Sequence, residues 1–101
     1  MKYGLTAATI AKINGILANY PQVRKAIIYG SRAVDAHRTG SDIDLTLVGG
    51  KDLTLRVHHQ IDAALDELLL PYTIDLSILH DIDNPKLIEH IDAVGRVFYE
   101  C

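Results

Sequence analysis

Tyr29 to Leu47 reads Y-G-S-R-A-V-D-A-H-R-T-G-S-D-I-D-L-T-L, and how this stretch folds dictates what the rest of the chain must do. It leaves an apolar run, Ala26-Ile27-Ile28, at Gly30-Ser31, and it re-enters one at Asp42-Ile43-Asp44. A glycine-serine turn at the end of a strand can offer backbone N–H groups to a phosphate. Two carboxylates one residue apart in a strand point to the same side, because side chains alternate with period two. Paired hard oxygen ligands of this kind suit Mg²⁺, which binds few protein carboxylates and completes its shell with water and phosphate oxygens.

Outward from that stretch the pattern alternates between helix and strand. On the N-terminal side, Ile10, Ile13 and Leu17 recur at helical spacing, with Ile16 and Tyr20 widening the stripe, which predicts a helix over Leu5 to Tyr20. Thr6 is its expected N-cap, with Leu5 and Ile10 as a hydrophobic staple, and Pro21 its stop. Gly15 inside it costs up to about 1 kcal/mol relative to alanine. Lys25 to Tyr29 predicts a strand, Arg32 to Ala36 a short helix, His37 to Ser41 a loop and Asp42 to Val48 a second strand ended by Gly49-Gly50. Leu53 to Leu70 predicts a helix with Val57, Ile61, Leu65 and Leu68 on one side, capped by Asp52 or Thr54 and stopped by Pro71.

Tyr72 to Leu79 predicts a third strand, apolar at Ile74, Leu76 and Ile78 and polar at Thr73, Asp75 and Ser77. Asn84-Pro85 has the form of a cap followed by proline at the first helical position. Leu87, Ile88, Ile91 and Val94 mark the helix that follows, with Gly95 as its stop and Arg96 to Tyr99 as a possible edge strand. The expected fold class is therefore α/β (α+β): one domain over 1–101, a small mixed sheet with helices packed on one face. Asp42, Asp44, Thr46, Asp75 and Ser77 remain for the other face.

Composition sets the outer bounds. With 101 residues, 49% hydrophobic content and mean hydropathy of +0.12, the chain has the makings of a core and not of a disordered segment. A net charge of −3 gives no basic footprint, so direct nucleic-acid binding is not expected. Cys101 is the one cysteine, which excludes a disulfide framework and a cysteine zinc site. No apolar run reaches membrane-spanning length and no signal-peptide core follows Met1, so the expected location is cytoplasmic.

Asp42, Asp44 and Asp75 on the polar faces of two strands would repel one another without a cation. Two Mg²⁺ ions in such a place can clamp the attacking and leaving oxygens of an in-line phosphoryl displacement. Arg32 and Arg38 are candidate phosphate partners on charge alone. His58-His59 lies in a helix and makes a poor metal pair, since adjacent residues point to different sides. His37, in the loop before the D-x-D, reads as a solvated loop histidine, with lining of a nucleotide pocket as the alternative, while His80 and His90 carry no motif.

Gly30-Ser31, ten intervening residues and Asp42-Ile43-Asp44 spell G-S-x10-D-x-D, and Asp75 follows centred in T-I-D-L-S-I-L. This combination resembles the nucleotidyltransferase fold shared with DNA polymerase β. The G-S-R-A start and the ending N-P-K-L-I-E-H-I-D-A-V-G-R-V-F-Y are similar to minimal nucleotidyltransferases, the antitoxin-like partners of HEPN-domain proteins. The resemblance implies ATP·Mg²⁺ as substrate and transfer of AMP with loss of pyrophosphate. It implies Asp42, Asp44 and Asp75 as catalytic metal ligands, Asp75 also as base, and Gly30 and Ser31 as triphosphate contacts. Arg32 lies outside the signature and is assigned to phosphate on charge and position. The implied acceptor is a hydroxyl, a tyrosine in the HEPN-associated members, on a partner toxin of a type VII-like toxin–antitoxin pair. The alternatives are a non-catalytic antitoxin acting by complex formation, and transfer to a small molecule.

Overall fold

Capping chemistry fixes where the helices begin. In the computed structural model, which describes residues 1–38 and 40–101, Thr6 is extended and its hydroxyl accepts the Thr9 N–H at 3.1 Å, opening α1 (Ala7–Leu17). Leu5 is buried ahead of the cap and Ile10 packs against the same core, as a staple requires. Thr54, rather than Asp52, caps α2 (Leu55–Asp66), and the Asn84 side-chain Oδ1 accepts from Lys86 N and Leu87 N at the start of α3 (Pro85–Val94). α2 stops short of the expected Leu70. Leu65 and Asp66 carbonyls take the N–H groups of Leu68 and Leu69 in a tighter turn, and Leu69 adopts φ 53°.

The strands are β1 (Val23–Tyr29), β2 (Ile43–Gly49), β3 (Ile74–Ile78) and β4 (Arg96–Glu100). Among the described residues they form one mixed sheet in the order β3-β2-β1-β4. β1 runs antiparallel to both neighbours, whereas β2 and β3 are parallel and joined through α2. The expected helix over Arg32 to Ala36 is instead a single 3₁₀ turn at Gly30–Arg32, and another 3₁₀ turn, Leu79–Asp81, follows β3. Thr39, within the expected loop, lies outside the described residues.

One sheet face, carrying Ala26, Ile28, Ile43, Leu45, Leu47, Leu76 and Ile78, is buried under Ile13 and Leu17 of α1 and Val57, Ile61 and Leu65 of α2. That is the apolar side the alternation predicts, and removing one of these leucines costs about 2–5 kcal/mol. α3 departs from the expectation of helices on one face only. It packs against β1 and the Gly30–Arg32 turn, and its Ile91 is buried outside the main core cluster. A Cβ on Gly95, where α3 hands over to β4, would lie 2.7 Å from Ile27 Cγ2. Ile27 pairs with Thr46 across β1 and β2, so α3 lies on the side of the sheet that carries the carboxylates. The short link between α3 and the edge strand β4 leaves the helix no room to cross to the other face.

Candidate active site

Asp44 lies second in β2 and Asp75 second in β3, and the parallel register sets them directly opposite each other. The register continues with Thr46 opposite Ser77, so the two strands present matching polar positions on one face. Ser77 Oγ donates to Thr46 Oγ1 at 2.9 Å, which satisfies a threonine that is wholly buried. Asp42 stands one residue before β2, exposed, on the approach to the same side. Across the sheet, Tyr29 ends β1 opposite Asp44.

The turn after Tyr29 is built around Gly30. Its φ of 76° lies in the left-handed region that glycine adopts without steric cost, and a Cβ there would run into Asp44 Oδ2. Backbone and carboxylate therefore approach more closely than any other residue would allow. Gly30-Ser31 and Asp44 form one unit, and Asp75 joins it from the next strand.

Electrostatics mark the same place. Burial, then the charges of Asp75 and Asp42, hold the Asp44 pKa above its ordinary value, and His90 opposes them. Tyr29 is shifted upward too, chiefly by burial; a hydrogen bond with Ser77 pulls it down, while Asp75 and Asp44 add to the rise. A carboxylate penalised by its neighbours is stabilised by a cation. Among the described residues no three acidic, imidazole or thiol groups already converge at metal-ligand distance. The donors are nonetheless hard oxygens of the kind Mg²⁺ takes a few at a time, leaving positions for water and phosphate, so the residues fit that ion.

Arg32 corrects the sequence-based expectation. Its side chain is 1% exposed, with Nε and Nη2 donating to Ser41 O at 3.0 and 2.8 Å and Nη1 to Tyr3 O at 2.8 Å. Its guanidinium stacks on the Tyr72 ring, 4.8 Å from the centroid. A guanidinium occupied in this way ties the loop before β2 to the N-terminal segment and is not free for phosphate. Arg38 is exposed and, with His37 and Tyr72, lines a cleft of about 350 Å³ beside Arg32. His58 is not idle either: its Nε2 is 2.9 Å from Leu76 O, on the outer edge of β3.

Two residues at this place escaped the sequence reading. His90 Nε2 accepts the Gly30 N–H at 3.2 Å, and its ring stands edge-on to Tyr29 with centroids 6.2 Å apart. The available signal was its position three residues after Leu87, on the flank of the α3 apolar stripe. Tyr29 reads as the apolar end of β1, and nothing in its spacing reveals that it stands opposite Asp44.

A mixed four-stranded sheet with a glycine-serine turn and register-paired aspartates on one face defines a nucleotidyltransferase architecture. The family described as Polymerase beta, Nucleotidyltransferase matches residues 11–101, and the chain belongs to that family. None of the curated protein sequences matches the chain. Among solved structures, a toxin–antitoxin complex with AMP-PNP contains a chain that superposes with a TM-score of 0.71 at 20% identity, over 96% of this chain and 75% of that one. A complex of a tri-AMPylated Shewanella oneidensis HEPN toxin with its MNT antitoxin gives 0.67 at 18% identity, covering 93% and 71%. A protein described as a minimal nucleotidyltransferase gives 0.69 at 25% identity, covering 95% of each chain.

Proposed function

We propose that this protein transfers AMP from ATP to a hydroxyl, in the first instance a tyrosine, on a HEPN-type partner, and thereby acts as the antitoxin of a toxin–antitoxin pair. The observation that carries the reading is the register pairing of Asp44 with Asp75 beside a Gly30 that only glycine could place against Asp44. Family membership supports transferase chemistry. Relatives of the same fold, crystallised with AMP-PNP or with an AMPylated toxin, support the donor and the partner class.

In this reading Asp42, Asp44 and Asp75 hold Mg²⁺, two ions in the full complex, and Gly30 and Ser31 hold the triphosphate through backbone N–H groups and the Ser31 hydroxyl. Bound Mg²⁺ supplies charge neutralisation of the triphosphate and of the leaving pyrophosphate. The acceptor oxygen attacks the α-phosphorus in line, one P–O bond forms, and the bond to the β-phosphate oxygen breaks. Asp75, exposed on β3, would take the acceptor's proton, while Asp44, half-buried opposite it on β2, would serve as a metal ligand. Arg32 keeps the loop that delivers Asp42 in place and contributes no phosphate contact.

The test is incubation of the protein and its neighbour-encoded HEPN protein with α-labelled ATP and Mg²⁺. Label should pass to the partner, and disappear with D42N/D44N and with a partner lacking the acceptor tyrosine. Undiminished labelling with D42N/D44N would place the chemistry elsewhere. Full neutralisation of the partner by D42N/D44N without any labelling would favour inhibition by complex formation.

A further inference from the structure

We infer that His90 is a latch on the nucleotide site: its Nε2 occupies the place of a phosphate oxygen on the Gly30 amide and must leave before nucleotide binds. The inference rests on the reading of Gly30 as a phosphate donor. A single backbone N–H directed at one acceptor 3.2 Å away cannot serve a second acceptor with good geometry. A phosphate oxygen bound to Gly30 N–H would therefore lie where His90 Nε2 now lies.

The contact is made by a side chain that can move. His90 is exposed on α3, so the released ring has solvent to swing into. When engaged it is held by the Tyr29 ring, which meets it at 79°. Accepting at Nε2 requires the neutral imidazole with its proton on Nδ1. The Gly30 carbonyl is engaged separately by Ala33 N, so the turn persists when the histidine departs. Sequence separation makes the contact informative: residue 90 reaches residue 30 only because α3 lies on the carboxylate side of the sheet. A bond that must be broken for ligand to enter subtracts from affinity, and the coupling is reciprocal. A partner that draws α3 away from the Gly30–Arg32 turn would tighten nucleotide binding, and bound nucleotide would loosen α3.

Calorimetric titration of Mg²⁺·AMP-PNP into wild type, H90A and H90F tests this. H90F keeps a ring against Tyr29 but has no acceptor. Both variants should bind about two- to ten-fold more tightly, the range one hydrogen bond supplies. In the nucleotide-free protein, the Gly30 amide resonance should move in both variants and exchange faster with solvent. Unchanged or weakened affinity in both variants, with wild type still binding, overturns the latch alone. If neither wild type nor variants bind while their spectra remain those of folded protein, the phosphate reading of Gly30 falls and the latch falls with it.

Discussion

Asp44 is held in its neutral form more strongly by the folded protein than by the unfolded chain, because burial and two neighbouring carboxylates oppose its charge. A raised pKa contributes stability that is fully present below the unfolded value, 3.8, and is lost as pH rises through the folded one. At neutral pH the ionised Asp44 is thus a weak point of the metal-free fold. D44N should melt higher than wild type at pH 7 without Mg²⁺, and the difference should vanish near pH 3. Thermal melts across that range check it, and AMP transfer by the same variant should be lost. Arg32 is the opposite case. R32A strands the Ser41 and Tyr3 carbonyls and empties a buried volume, so chemical denaturation should show a loss of about 2–4 kcal/mol. Of the two kinds of residue, Asp44 and Asp75 were legible in their placement from spacing, since period-two alternation within β2 and β3 fixes their side. Arg32 was not, because a charged residue next to a glycine-serine turn gives no sign of whether its fork meets phosphate or backbone carbonyl.

At the scale of elements, helix starts were more legible than helix ends. Thr6, Thr54 and Asn84 each cap as their residue types suggest. The end of α2 depends on local bonds among Leu65, Asp66, Leu68 and Leu69, for which the five consecutive apolar or acidic residues from Leu65 to Leu69 carry no signal. Gly15, inside α1, and Gly95, just past the end of α3, show how little a sequence says about why a glycine is there. A Cβ on Gly15 would meet nothing within 4 Å, so G15A should stabilise the protein by about 0.5–1 kcal/mol. Gly95 is not the left-handed stop a terminal glycine suggests: its φ is −61°. It is glycine because a Cβ there would press on Ile91 O and Ile27 Cγ2, and G95A should lower the melting temperature by pushing α3 off β1. Thermal melts of the two variants should therefore shift in opposite directions. The placement of α3 was the element-scale feature that periodicity could not supply. A stripe of Leu87, Ile88, Ile91 and Val94 states that a helix buries one side, not which face of the sheet receives it.

For the whole molecule, the site is spread over the first, second and third strands, so ligand binding and global stability are linked. Saturation with Mg²⁺·AMP-PNP at about a hundred times Kd should add about 2.7 kcal/mol, a rise of roughly 10 °C or more for a chain of this size. D42N/D44N should show no such rise, and scanning fluorimetry distinguishes the two. Mixed topology has a further effect on time. β1 and β2 are antiparallel neighbours, and pairing them assembles Gly30 and Asp44 without help from the rest of the chain. Asp75 arrives only when α2 has formed and carried β3 back into parallel register. A chain emerging from the ribosome would therefore own its phosphate turn before its third carboxylate, and catalytic competence would be the last property it acquires. Stopped-flow refolding should show sheet formation preceding the ability to bind Mg²⁺·AMP-PNP.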